Sequence, residues 1–407
     1  MNEKLNNKSI TIVKNYSSKN FYTTIINSAH KISPLTWNEL ANFKNTKDGD
    51  LIGNPFLSHE FFTSLEDSGS ISYKTGWIVQ HIILKNINGL VLGILPNFLK
   101  THSWGEYVFD HIFAEVWQRH GKSYYPKFLS AIPFTPITGP RFLLSKNINH
   151  KDAIETLLSS LKKLVEENKF SSSHINFIND EQTKYFCKDP SWFKRLGIQF
   201  HWKNNNYENF ESFLSTLSSP KRKIIKKERR EVSSKSLKIN KLVGDQIKEE
   251  HIEKFYNFYI NTSEKKFGAA YLTKDFWFLL ISRLKHRVLL ILVDDNNQSV
   301  AGAINLFDSK SIYGRNWGSL KNIKFLHFEV CYYQAIEFAI SKSLETVEAG
   351  AQGIHKLQRG YYPTLTQSIH YFSENIFADA ISKFLKIETN EIKKEIKSLE
   401  KRLPYKN

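Results

Sequence analysis

The chain has 407 residues, of which 41% are hydrophobic and 14% aromatic, and it carries a formal net charge of +17. That length exceeds what one hydrophobic core ordinarily supports, so two domains are expected, and the apolar content excludes an extended, tail-like chain. No run reaches the roughly 18–20 consecutive apolar residues of a membrane helix, the N-terminus lacks an apolar secretory segment, and the two cysteines, Cys187 and Cys331, imply no disulfide framework; a cytoplasmic protein is expected.

In chain order, residues 1–31 form a polar lead-in. Ser33 before Pro34 predicts a capped helix, and 53–69 a turn into a second helix with Phe56, Phe61, Phe62 and Leu65 on its apolar side. Residues 77–84 and 90–98 flank the turn sequence NING and predict an antiparallel hairpin. The stretch 100–141 is rich in aromatic and polar residues without clear periodicity and reads as long functional loops. A helix over 153–168, a strand over 175–178, a helix over 181–196 and a strand over 197–202 then close a first α/β unit.

A second unit opens with a helix over 209–217, a basic run over 219–232, and helices over 247–262 and 273–284. Strands follow over 288–293, 299–307 and 311–317, joined by turns at 294–298 and 308–310. A helix over 325–342, a strand over 345–348, a Gly-containing segment, a strand over 368–372 and a charged helix complete it. The expected division is therefore 32–205, 206–375 and a C-terminal helix over 376–407, in an α/β (α+β) fold.

The segment ETVEAGAQGIHKLQRGYYP concentrates chemistry. A strand ending at Glu348 runs into Gly350 and Gly353, followed by His355, Lys356 and Arg359. Glycines let backbone amides approach an anion or acyl oxygen, and the basic side chains can neutralise phosphate or a developing oxyanion. Upstream, Arg315 and Gly318 begin a pyrophosphate-type turn that Leu320 interrupts. Asp110, His111, Glu115 and His120 match no metal spacing, and His327 and Glu329 would not share a helix face, so no metal is expected. Lys223, Lys226, Lys227 and Arg230 recur at helical spacing and could meet phosphates.

The words GNPFLSHEFF, TGW, HSWGEYVFD, YYPKFLSAIPFTPITGPR, SSPKRKIIKKERR, YGRNWG, FLHFEVCYYQAIEFAI and EAGAQGIHKLQRGYYPT resemble those of FemAB-like proteins in the GNAT (acyl-CoA N-acyltransferase) superfamily, from residue 32 into the C-terminal helix. The resemblance implies two GNAT-like domains in tandem, with mixed sheets flanked by helices. It implies transfer of an acyl or aminoacyl group from acyl-CoA or aminoacyl-tRNA to an amine, a lipid-linked cell-wall precursor being one such acceptor. The stretch 221–230 is similar to the basic helix that follows the first domain in that family, and Lys356 to the lysine closing the last motif of related acyltransferases. The long helical hairpin arm of some tRNA-dependent members has no counterpart here.

The expected mechanism is direct attack in a ternary complex, with Glu348 or His355 as base and Lys356 with the amides of Gly350 and Gly353 on the oxyanion. Arg315, Trp317 and Arg359, with Lys221 and Arg222, are expected on the donor side. Asp110, His111, Glu115, Arg119 and Arg141 are expected on the acceptor side. No bound cofactor is expected; acyl-CoA or aminoacyl-tRNA would be a co-substrate, with tRNA binding and peripheral membrane contact compatible with the charge. The competing reading is a non-enzymatic protein that binds RNA or an anionic lipid surface on the same scaffold.

Overall fold

Local signals set many of the elements in the computed structural model, which describes residues 16–17, 20–45, 51–186, 189–267, 269–351 and 353–406. Most of the lead-in, and Cys187, lie outside these residues. After β1 (Tyr16–Ser17) and β2 (Phe21–Ile26), α1 (Pro34–Leu40) starts where the Ser33 hydroxyl accepts from the Thr36 amide. The short strands β3 (Lys44–Asn45) and β4 (Leu51–Ile52) precede α2 (His59–Asp67), which buries Phe61, Phe62 and Leu65 as the spacing predicted.

The predicted hairpin forms, but it is split between two sheets. Its outer part is β6 (His81–Asn86) and β7 (Val91–Leu95), and its inner part is β5 (Trp77–Val79) and β8 (Phe98–Lys100). At the split, the Asn97 side chain donates to the Gln80 carbonyl and the Asn97 amide to His81 Nδ1, so the backbone can change sheets without stranding polar groups.

The stretch 100–141 is more regular than loops. It contains α3 (His111–Arg119) and β9 (Lys127–Ser130), followed by β10 (Leu143–Leu144). Phe113 and Trp117, four apart, are the buried side of α3, while Ile112 on its other side is exposed and blurs the pattern.

Next come α4 (His150–Asn168), β11 (Ser172–Asn176) and the single turn α5 (Asp180–Thr183). The helix expected over 181–196 is therefore mostly absent: from Trp192 the chain is already in β12 (Trp192–Lys203). Pairing with β18 over Trp192↔Tyr371 to His201↔Tyr362 overrides the local helical preference.

The second half runs α6 (Phe210–Thr216), α7 (Ser219–Ser233), β13 (Lys238–Val243), α8 (Glu249–Phe267), α9 (Lys274–Leu284), β14 (Val288–Asp295), β15 (Gln298–Phe307) and β16 (Ser311–Ser319). A helix then starts as α10 (Leu326–Phe328), widens into a π-helical turn at Glu329–Tyr333 and ends as α11 (Gln334–Ser341). After β17 (Thr346–Glu348) and a 3-10 turn at Ile354–Arg359 come β18 (Tyr362–Phe372) and α12 (Asn375–Glu400).

Eleven strands form one sheet in the order β13-β14-β15-β16-β17-β12-β18-β11-β9-β8-β5. Each half contributes a parallel pair, β9 with β11 and β16 with β17, at which the sheet forks. The halves also exchange strands: β12 of the first half lies against β17, and β18 of the second half lies against β11. Apolar packing reinforces the junction, with Phe61 of α2 edge-on to Phe276 of α9 and Phe56 edge-on to Tyr313 of β16.

The two forks differ. In the first, Gly139 bridges to Ile178, and the Arg141 side chain, 1% exposed, donates to the carbonyls of Asn176, Pro140 and Ile137. That fork is filled by the protein's own chain. In the second, the last parallel pair is Tyr313↔Glu348, after which β16 and the chain beyond β17 diverge around a pocket.

Candidate active site at the open fork

Glu348 is the last residue of β17, and its register partner on β12 is His201. Its side chain is 13% exposed, with Oε2 lacking a hydrogen bond and lying 3.8 Å from His201 Nε2. Burial, and then the charge of Asp308, push the Glu348 carboxyl up to about 8. Burial, then Lys356 and Lys203, push His201 down to about 4, so its ring is neutral, and Nε2 meets Gln199 Oε1 at 3.1 Å.

Lys356 is only 1% exposed and donates from Nζ to the Gly350 carbonyl at 2.9 Å. Desolvation lowers its ammonium to about 8. The intervening turn needs glycine: Gly353 has φ +120°, and a Cβ there would come within 2.7 Å of the His355 ring. An acid and a cation that both titrate near neutral pH thus stand at the end of one short strand, the environment in which proton transfer and oxyanion stabilisation are efficient.

Two pockets adjoin this point. One, of about 100 Å³ of water-accessible space, fills the fork and is lined by Arg315, Asn316, Trp317, His327, Tyr332 and Gly350 among others. The register of β15 against β16 jumps from Asn305↔Gly314 to Ile304↔Asn316, so Arg315 sits on a β-bulge, a device that re-aims a side chain. The second pocket, of about 270 Å³, lies between the halves, with Tyr107 to Phe109 on one side, Gln199 and Ser368 on the sheet and Ala351 at its rim. Gly350 and Ala351 are consecutive, so the glycine-containing segment borders both.

Residues 28–407 match the family described as FemAB-like, peptidoglycan biosynthesis/recognition. The chain belongs to the FemAB-like family. Membership carries the class of chemistry, acyl or aminoacyl transfer. Among solved structures, FemX is similar with a TM-score of 0.50 at 12% identity, over 86% of this chain and 98% of that one. A tandem GNAT protein from the clavulanic acid biosynthesis pathway follows at 0.48 and 7%, over 87% and 99%, and L-PGS from Bacillus licheniformis at 0.47 and 9%, over 80% and 96%. At such identities the likeness concerns the fold alone. No curated protein matches the sequence.

The other residues singled out in this FemAB-like sequence fall into three groups. Arg315 and Trp317 join Gly350 at the fork pocket. His355 is exposed, lies with its ring tilted against those of Phe328 and Tyr332, and shares a 2.8 Å hydrogen bond with the Tyr332 hydroxyl; burial, Arg359 and Lys356 lower its ring. Arg359 is held in place: it pairs with Glu228 at 2.6 Å, donates to the Tyr333 hydroxyl and the His355 carbonyl, and lies 3.5 Å over Phe328. Its side chain clamps the Lys356 turn to α7. Lys221 reaches Gln358 and Arg222 reaches the Leu217 carbonyl, both at 3.4 Å, at the same junction.

The residues expected on the acceptor side do not gather. Glu115 and Arg119 pair with each other on the exposed face of α3, and His111 is exposed beside Phe109. Arg141 is in the closed fork, with its donors on backbone carbonyls. Asp110 is 2% exposed in an ion cluster, accepting from Lys127 and from the Tyr124 hydroxyl, with Glu106 2.8 Å from the same ammonium.

His201 and Lys127 carried no signal in the sequence. His201 lies in a strand assigned to the other half, and Lys127 is one of many lysines. Only the register that places His201 opposite Glu348 marks it. Among the described residues no helix is long and apolar enough to cross a membrane, and no group of three or more His, Cys, Asp or Glu side chains could hold a metal.

Proposed function

We propose that this FemAB-like protein acylates or aminoacylates an amine at the open fork, by direct attack within a ternary complex. The observation that carries this reading is the buried Glu348 carboxyl, with an orphaned oxygen, at the point where β16 and β17 part and beside the glycine-containing Lys356 turn.

The donor's acyl end occupies the fork pocket, and the acceptor amine approaches from the pocket between the halves. The amine nitrogen attacks the carbonyl carbon while the Glu348 carboxylate takes one of its protons. Lys356 and the amides of the glycine-containing segment hold the oxyanion. As the tetrahedral intermediate collapses, the bond to the leaving thiol or ribose oxygen breaks, and Glu348 returns the proton to that atom. His201, neutral and across the register, packs 3.8 Å from the carboxyl without adding a charge that would lower its proton affinity. Glu348 is preferred to His355 as base because the His355 ring is exposed and bonded to Tyr332.

Acyl-CoA and aminoacyl-tRNA both suit the chemistry. The exposed Lys223, Lys227 and Arg230 of α7 support a polyanionic donor such as aminoacyl-tRNA, and the family's description supports an acceptor amine on a cell-wall precursor. A thermal-shift panel of acyl-CoA thioesters and aminoacyl-tRNA identifies the donor by the stabilisation that bound ligand confers. Transfer assays then follow with Glu348→Gln and Lys356→Met. Full activity in both variants would sink the assignment.

A further inference from the structure

β12 is bonded along nearly all of one edge and along little of the other. Its ladder with β18 runs from Trp192↔Tyr371 to His201↔Tyr362, whereas β17 meets it only at His201, Trp202 and Lys203. Consecutive residues of an antiparallel strand turn their N–H and C=O groups to opposite edges, and two bonds fix which way each residue of β12 turns. The Asn204 amide donates to the Glu345 carbonyl beside β17, and the Gln367 carbonyl, opposite Leu196, accepts from Ile178 on the far side of β18. Even-numbered residues of β12 therefore turn towards β17 and odd-numbered ones towards β18. Past the end of β17 the main-chain groups of Lys194, Leu196, Ile198 and Phe200 face no strand, and no bond to them is made among the described residues.

An open edge in the interior of a sheet is a template for one more strand, because main-chain groups shielded from water need partners. Leu196 and Phe200 are only 9% and 6% exposed. The pocket of about 270 Å³ between the halves runs along this edge, and the consecutive residues Arg195 to Gln199 all line it. Side chains alternate between the two faces, so Leu196 and Ile198 share a pocket with Arg195 and Gln199 only where it reaches the main chain. The chain leaving β17 does not close the gap. It leans towards β16, where the Glu348 carbonyl and Ala349 Cα lie 3.4 and 3.5 Å from the position a Cβ would take on Gly314, and Gly350 then turns it with φ +80°.

We propose that this edge binds an extended peptide as an added strand, antiparallel to β12 and in line with β17, its main chain bonded to Leu196, Ile198 and Phe200. Outward-facing groups on alternate residues recur at about 7 Å, a spacing that a peptide main chain reproduces and a compact amine does not. Recognition of this kind tolerates different side chains, and antiparallel pairing is the better bonded of the two directions. It puts the N-terminal end of the peptide at Phe200, the residue next to the His201↔Glu348 pair. The terminal amine then arrives at Glu348 and the Lys356 turn, and the C-terminal end runs out past the exposed Lys194. That this amine is the acceptor rests on the transferase reading; the pairing does not.

The test needs neither donor nor turnover. The full chain is titrated with penta-alanine amide by calorimetry, and amide hydrogen exchange is followed by mass spectrometry with and without the peptide. Because a strand bonds its neighbour through alternate residues, two N-methylated forms are compared, one methylated at even-numbered residues and one at odd-numbered residues beyond the first. Penta-alanine amide is expected to bind saturably and to slow exchange over residues 194–200, where the outward amides are unprotected in the free protein. One methylated form should bind at least about tenfold more weakly, and the other should keep its affinity. No saturable binding, equal affinity of the two methylated forms, or protection that arises outside 194–200 would each overturn the proposal. Failure of the transferase reading would appear elsewhere, as full transfer activity in Glu348→Gln and Lys356→Met with peptide binding unchanged.

Discussion

His201 Nε2 lies 3.8 Å from Glu348 Oε2, held there by the antiparallel register of β12 against β17. The two residues come from opposite halves of the chain, so the strand exchange itself assembles the site. Replacing His201 by Ala should leave the fold intact and lower kcat more than it raises KM, because water reaching the carboxyl lowers its affinity for the amine's proton while substrate contacts stay in place. Steady-state kinetics on a folded variant checks this, and a pure KM effect would assign His201 to binding.

Acyl transfer should show a bell-shaped pH profile with its apex near 8. Glu348 must lose its proton to act as base and does so at about 8, and Lys356 loses its positive charge at about 8. Glu348→Gln should remove the rising limb and cost about 10²–10⁴ in kcat. Lys356→Met should remove the falling limb and cost about 10²–10³. Profiles with unchanged limbs would show that other groups titrate.

Stability should carry the same signature. The Glu348 carboxyl is raised in the folded state, from 4.5 to about 8, so its contribution is complete below the unfolded value and is lost as pH rises through the folded one. Wild type should therefore lose stability relative to Glu348→Gln between pH 5 and 8, by at most about 4–5 kcal/mol. Urea unfolding of the pair at several pH values measures the difference.

The Arg359–Glu228 pair is buried on both sides, with side chains 8% and 7% exposed. Removing one partner leaves the other charge stranded, so Arg359→Met or Glu228→Gln should each cost about 3–5 kcal/mol. Arg359→Met should also lower activity, since the clamp on the Lys356 turn is gone. The double replacement by apolar residues should recover much of the stability. Denaturant melts of the three variants decide whether the pair couples as described.

Lys127 stands between Glu106 and Asp110 with no exposed side-chain surface. Burial alone would raise both carboxyls; Lys127 outweighs it for Asp110, while Glu106 remains raised to about 7. Lys127→Met should therefore be more damaging at pH 8 than at pH 5, where Glu106 takes up a proton and the stranded charge falls. An equal cost at both pH values would mean that the cluster is held by packing alone.

Much of this protein was legible residue by residue. The Ser33 cap, the turn at Asn86 to Leu90 and the amphipathic helices are written in neighbouring residues, because capping and turn chemistry act within a few positions. The family words and the Glu348 to Lys356 segment were legible for the same reason, as contiguous text. α3 was hidden because its buried pair, Phe113 and Trp117, is flanked by exposed apolar residues. The helix expected over 181–196 failed because Trp192 to Leu196 joins β18 from more than 170 positions away.

The sequence by itself determined the family, most elements and the segment on which the acid and the cation lie. The tertiary structure alone decided which fork is open, that β12 and β18 cross between halves, and that His201 faces Glu348. The physical reason is range: caps and turns are satisfied locally, whereas strand partners and the desolvation that moves Glu348 and Lys356 to about 8 depend on which distant residues exclude water.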